Sequence, residues 1–201
     1  MNWNKQNPYL AKITSKKLLS GKQSNKEVFH YEIFLGDSGI IYQPGDSIGI
    51  FPVNNNTLVK AMINRLQINP TYIPEGYDLN IYQLLEKKFE ILTPTNRFLK
   101  FVNNNINHKA LNNFFDTKNK SILMDFKYGK DILDFMNLDE NLKFDVLHFL
   151  TLLKPLQHRA YSIASSNLIF KNSVHLTVST QRWKRKTRDY GGVCSTFLSD
   201  S

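Results

Sequence analysis

The sequence predicts an α+β fold in which one β-domain is split by a helical insertion. Three observations carry this reading. Apolar residues alternate with polar ones near the N-terminus, recur at helical spacing through the middle, and alternate again near the C-terminus. The boundaries fall at residues 1–55, 56–155 and 156–201, and no internal repeat or long low-complexity linker interrupts them. Periodicity alone says no more about topology.

In the first zone Phe29, Tyr31, Ile33 and Leu35 fall on one face of a strand from Val28 to Leu35, with His30 and Glu32 on the other. Gly36-Asp37-Ser38-Gly39 reads as a turn, Ile40 to Tyr42 as a short partner strand, Pro44-Gly45-Asp46 as a second turn, and Ile48 to Phe51 as another strand. In the middle zone Asn56 is placed to cap a helix over Thr57 to Leu66, with Leu58, Met62 and Leu66 in a stripe. Further helices are predicted over Ile81 to Phe89, Arg97 to Val102, His108 to Asp116, Ile132 to Met136 and Phe144 to Leu153, the last stopped by Pro155. In the third zone Val174, Leu176 and Val178 alternate with His175, Thr177 and Ser179; a basic loop, Gly191-Gly192 and a short helix from Ser195 to Leu198 follow.

Hydrophobic residues make up 41% and charged residues 21% of the 201-residue chain, a balance typical of a globular protein with a sizeable core. No apolar run reaches the roughly 20 residues that span a bilayer. The start, MNWNKQNPYLAK, has neither an apolar core nor a small-residue cleavage site, so no signal peptide is read and a cytoplasmic location is expected. The single cysteine, Cys194, excludes an internal disulfide framework and a Cys-rich zinc site. The five histidines, His30, His108, His148, His158 and His175, show no ligand spacing, so no metal site is expected. No serine sits in a nucleophile elbow. A net charge of +9 favours an acidic or phosphate-bearing partner, and Arg182, Lys184, Arg185, Lys186 and Arg188 cluster within seven residues.

Two short segments carry chemistry. In an extended Arg159-Ala160-Tyr161-Ser162, Arg159 and Tyr161 share a face and Ser162 lies on the other. A guanidinium forks onto phosphate oxygens, a tyrosine ring stacks on a flat heterocycle, and a serine hydroxyl reaches a ring heteroatom. The bland alternative is a strand with a surface arginine and a core tyrosine. In Gly191-Gly192-Val193-Cys194-Ser195-Thr196 the glycines allow close approach, and the N–H groups of a following helix would face an anion, with Ser195 and Thr196 hydroxyls as further donors. Its alternative is a plain Gly-Gly turn before a helix. Between the two, the strand offers Thr177 and Ser179 on its polar face, and Trp183 is placed either to stack on a second ring or to pack over a strand end. Their order within about forty residues suits a dinucleotide with two flat rings and a pyrophosphate. No G-x-G-x-x-G and no Walker lysine loop is present, which separates this pattern from the nicotinamide fingerprint.

RAYSIASS from Arg159 to Ser166 resembles the R-x-Y-S FAD motif of the ferredoxin–NADP reductase superfamily in its diflavin reductase form. GGVCSTFLSD from Gly191 to Asp200 resembles the FAD pyrophosphate loop of these enzymes, and VHLTVST from Val174 to Thr180 the strand that meets the flavin. LGDSGIIYQPGDSIGIFP from Leu35 to Pro52 is especially similar to the sulfite reductase flavoprotein branch. The resemblance implies an antiparallel β-barrel that binds FAD, over residues 1–55 and 156–201, interrupted by a helical connecting insertion over 56–155. By the same resemblance Arg159 binds pyrophosphate, Tyr161 stacks on the isoalloxazine, and Ser162 sits near flavin N5 as the catalytic residue, with Ala160 between them in the motif. Thr177, Val178 and Ser179 line the flavin, and Trp183 stands where a tyrosine commonly meets adenine. Gly192, Val193, Cys194 and Ser195 cradle the pyrophosphate, and Thr93 and Gly129 are weaker contacts within the insertion.

The family role implied is NADPH-dependent flavoprotein reductase: electrons pass from NADPH through FAD and FMN to a haem protein, sulfite reductase haemoprotein foremost and another haem-protein acceptor as the alternative. No stretch of residues 1–201 resembles the family's FMN or NADPH domain; the resemblance admits separate chains carrying them as partners, and a barrel short of its last strand. His158 also stands where the family commonly has proline. Two other readings stay open. One is a non-catalytic remnant kept as a binding or structural module. The other is a basic nucleic-acid module built on the Arg182 to Arg188 cluster, which ranks last because a charge run of this kind is commonly a solvated loop. Arg159→Ala is expected to weaken FAD retention by about 1.5–3 kcal/mol, the value of a charge-assisted contact. Equilibrium dialysis against FAD measures it, and unchanged affinity would remove Arg159 from the site.

Overall fold

A computed structural model describes residues 3–117 and 120–201. The chain divides into two units, Met1–Pro52 together with His158–Ser201, and Val53–Gln157. In chain order the first stretch holds β1 (Lys12–Leu18), β2 (Glu27–Phe34) and β3 (Ser47–Ile50). The second unit holds α1 (Asn56–Leu66), α2 (Ile81–Lys87), β4 (Phe89–Glu90), α3 (Asn96–Ile106), α4 (Lys109–Thr117), α5 (Lys120–Lys127), α6 (Ile132–Met136), α7 (Val146–Leu152) and β5 (Lys154–Pro155). The return stretch holds β6 (Arg159–Ser162), β7 (Ser173–Thr180), β8 (Arg182–Arg185), β9 (Arg188–Gly191) and α8 (Val193–Asp200). No helix among the described residues is long and apolar enough to cross a membrane.

The split unit is built on an antiparallel sheet of order β1-β2-β7. The register sets Tyr31 opposite Leu176 and Ile33 opposite Val174. Paired residues of an antiparallel ladder share a face, so these four bury together with Leu35, Tyr42, Val178 and Leu198. β3 pairs with β6, and an isolated bridge from Ile163 to Leu176 ties the end of β6 to β7. All these ladders are antiparallel, and no sheet among the described residues closes on itself.

Two readings of this unit change. Ile40 to Tyr42 is irregular rather than a strand. The reason is visible at Tyr42, whose hydroxyl lies 2.7 Å from Ser165 Oγ and donates to Ser173 O at 2.9 Å. The segment is anchored by one buried side chain, so its alternation reports a core contact and not a ladder. The basic segment after Gln181 is an ordered hairpin, not a loop: β8 pairs with β9, and Lys186 turns it at a φ of 53°.

In the helical unit the cap of α1 is Asn55, one residue earlier than predicted, and its side chain accepts from Leu58 N at 3.2 Å. The buried stripe is Val59, Met62, Ile63 and Leu66, with Leu58 only half-buried. α2 stops at Lys87 because Phe89 and Glu90 pair with Pro155 and Lys154. Pro155 thus ends a strand pair rather than the helix, which stops at Leu152. α3 runs on to Ile106 and closes through Asn107 in the left-handed region, and α5 has no counterpart among the predicted helices. Phe98, Phe135 and Phe149 are completely buried in one core with Leu85, Ile91 and Leu99. Each such side chain contributes about 1.5–3 kcal/mol by leaving water.

One polar contact organises this unit. The Arg65 guanidinium, in the last turn of α1, donates to the carbonyls of Met136 at 2.7 Å, Asp139 at 3.0 Å and Leu142 at 2.9 Å, and its Nε also reaches Asn137 Oδ1 at 3.1 Å. It satisfies the acceptors left at the C-terminal end of α6 and in the following loop. Arg65→Met keeps the apolar stem but strips these donors. Chemical denaturation is expected to show a loss of about 2–3 kcal/mol.

Candidate functional site

β6 carries the first predicted motif. Its ladder with β3 sets Arg159 opposite Ile50 and Tyr161 opposite Ile48. Arg159 and Tyr161 are half-buried, whereas Ala160 and Ser162 are exposed. The close fit starts one residue earlier: a Cβ on Gly49 would stand 2.8 Å from His158 Cδ2, so only glycine leaves room for this ring beside β3. His158 also packs on Phe51 at 5.3 Å, and its Nδ1 is buried with no hydrogen-bond partner among the described residues.

α8 carries the second motif, and it begins at Val193, two residues before the predicted start. Its cap is Gly192, which supplies no side-chain acceptor. The first-turn N–H groups of a helix have no intrahelical acceptor and form its positive end. A Cβ on Gly191 would meet Thr196 Cγ2 at 2.3 Å, and one on Gly192 would meet Ser195 Oγ at 2.9 Å. A side chain at Gly191 would force Thr196 to shift, and one at Gly192 would force the Ser195 hydroxyl to turn. The hydroxyls of Ser195 and Thr196 turn back and donate to Gly192 O at 3.2 Å and 2.9 Å, and Ser195 Oγ accepts from Gln181 N at 3.1 Å. Both hydroxyls are thus engaged with backbone here, which leaves the first-turn N–H groups as donors for an anion.

Cys194 joins the two motifs. Its thiol is 2% exposed, faces Ile50 O at 3.8 Å and accepts a hydrogen bond from the Tyr161 hydroxyl. Burial pushes the Cys194 thiol up, which lowers its thiolate character. Burial, then the Cys194 bond, pushes the Tyr161 phenol up as well, with Arg159 acting in the opposite sense. Arg159, Tyr161 and the start of α8 thus form one constellation, which the spacing of the two motifs could not show.

The other predicted residues are placed differently. In β7 Val178 is buried in the core, while Thr177 is exposed and Ser179 half-buried on the opposite face of the sheet. Trp183 is on β8 and stacks on Tyr190 of β9 at 5.7 Å and 9°, and Arg188 lies over Tyr190 at 4.8 Å. Arg182 leaves the basic cluster: it bonds Glu27 at 3.1 Å, Ser199 Oγ at 2.9 Å and Asp200, clasping β2, β8 and α8. Thr93 and Gly129 belong to the helical unit, in the β4–α3 connection and in the turn after α5 at a φ of 67°.

An arginine beside a half-buried tyrosine, with a glycine-capped helix start, fits a flat ring that carries a pyrophosphate. Gly191→Ala is expected to destabilise the split unit through the Thr196 clash. The double variant Gly191→Ala/Thr196→Ser, which removes Cγ2, is expected to recover most of the loss. Thermal melts compare them, and equal melting of both variants would contradict the cause.

The sequence matches the family model described as "FAD binding domain" over residues 1–197. It is 32% identical over 200 residues to the sulfite reductase (NADPH) flavoprotein alpha-component of Zymomonas mobilis, covering 98% of this chain and 32% of that protein. The protein of the same name from Mannheimia succiniciproducens is 32% identical over 100% of this chain and 33% of its own length. That from Bacillus subtilis is 28% identical over 99% of this chain and 34% of its own length. The chain spans about a third of the length of these relatives. It therefore belongs to the FAD-binding domain family, and its cofactor is FAD.

Proposed function

We propose that this chain is the FAD-holding and connecting region of an NADPH-dependent flavoprotein reductase of the sulfite reductase type. The observation that carries the reading is the constellation of Arg159, Tyr161 and the glycine-capped start of α8, held together through Cys194. The names of the relatives support the reaction class. Residues 1–55 and 156–201 are read as the antiparallel FAD-binding barrel, and residues 56–155 as the connecting insertion.

Arg159 and the N–H groups of Val193, Cys194 and Ser195 hold the pyrophosphate, with Gly192 giving it room. Tyr161 supplies the stacking surface, and its bond to Cys194 fixes the ring's orientation. Ser162, exposed at the end of β6, offers a hydroxyl to the flavin edge. Thr177, Val178 and Ser179 contribute along β7, and Trp183 meets the adenine with the ring face away from Tyr190. When bound, the flavin supplies the hydride and electron chemistry, and the protein contributes placement and electrostatics.

In the whole protein electrons run from NADPH through FAD and FMN to a haem-protein acceptor, with sulfite reductase haemoprotein the leading candidate, in the cytoplasm. A second reading, a structural module that no longer holds FAD, draws on the open sheets of the split unit. The visible absorption spectrum of the purified full chain, mixed with FAD and freed of unbound flavin, separates the two. Retained oxidised-flavin bands at about one equivalent are expected. A folded but colourless protein would leave only the structural reading.

A further inference from the structure

The outer face of the β2–β7 ladder gathers three groups that the sequence scatters. Glu32 is the register partner of His175, and His30 lies two residues before Glu32 on the same face of β2. The Nε2 of His30 is 3.9 Å from a Glu32 carboxylate oxygen, and one donor atom from each of the three residues falls within 4.8 Å of the others. The rings of His30 and His175 meet edge to face, 5.1 Å apart at 89°, so they converge without stacking. We propose that His30, Glu32 and His175 form a binding site for a first-row divalent cation, with zinc the best fit.

Two imidazoles and one carboxylate are a donor set that suits zinc with water completing the shell. Zinc–donor distances of about 2.0–2.2 Å set the donors of a tetrahedral site roughly 3.4 Å apart. The groups therefore need to close by about an ångström, which side-chain rotation supplies. The site is anchored on one side and adaptable on the other. His175 is buried; its backbone N–H donates to Ser165 Oγ at 3.0 Å, its carbonyl accepts from Ala164 N at 2.8 Å, and Phe170 packs on its ring at 4.1 Å. Ser173 Oγ lies 3.5 Å from His175 Nε2. The His30 and Glu32 side chains are 28% and 41% exposed, so they can turn toward an ion that enters from solvent. Lys17 is the register partner of His30 and is exposed, its charge carried on a flexible stem. An ion here ties β2 to β7, the central ladder of the split unit, and stabilises the folded chain by binding it in preference to the unfolded one.

The test uses the full chain, stripped with a chelator and kept free of flavin, so that it does not depend on the FAD reading. Zinc titration by calorimetry is expected to give one equivalent bound and a rise in melting temperature that EDTA reverses. His30→Gln and Glu32→Gln, at the two solvent-facing positions, are each expected to weaken binding by about tenfold or more. In the unmodified chain, zinc is expected to move the ring-proton resonances of His30 and His175 and to leave those of His108, His148 and His158 in place. No stoichiometric binding would overturn the proposal. So would equal affinity in both variants, or shifts confined to the other three histidines.

Discussion

The split unit depends on two antiparallel ladders that pair the chain stretch before the helical unit in sequence with the stretch after it. β2 and β7 run in register over eight residues, and β3 returns against β6 with Ile50 opposite Arg159. Closing a chain segment of this size is tolerable because the entropy cost grows only with the logarithm of loop length, about 0.6 kcal/mol per doubling. The β3–β6 ladder has a direct consequence for chemistry. It is the pairing that sets Arg159 and Tyr161 in an extended strand with their side chains on a common face.

The second support of the site is α8. Helix start and strand are joined by a small set of close contacts: Gly191 against Thr196, Gly192 against Ser195, and Cys194 between Ile50 and Tyr161. None of these groups is exposed. They set the position of the backbone N–H groups, which is what an anion would read. At the far end of the helix, Arg182 bonds Asp200 and Glu27, so one residue of the basic segment serves the fold and not a surface field. The helical unit shows the same economy, since one Arg65 guanidinium supplies donors to three carbonyls.

Much of this was legible in the residues. The alternation of β2 and β7 predicted their strands to within a residue or two, and Ile132 to Met136 is a helix with those bounds. The two motifs fall on a strand and at a helix start. Misreadings came where a local pattern served a distant contact. Tyr42 alternates because its hydroxyl reaches Ser165 and Ser173, and Phe89 leaves its helix because Pro155 pairs with it. The basic segment looked like a solvated loop because its hairpin is held by Trp183 on Tyr190, a cross-strand pair that a charge count does not register.

The sequence by itself determined the class of elements, the order of strand, helical and strand zones, and the candidate side chains for phosphate and ring contacts. These follow from properties carried by single residues and short spacings: burial period, glycine freedom, a guanidinium fork, an aromatic face. Tertiary structure alone decided which groups meet. Cys194 bonds Tyr161, Arg182 is withdrawn into an ion pair, the hydroxyls of Ser195 and Thr196 face backward, and His30, Glu32 and His175 converge. The physical reason is register. Antiparallel pairing sets residues far apart in sequence side by side, and that choice is made by the packing of the opposite, apolar face of the sheet and not by the groups brought together.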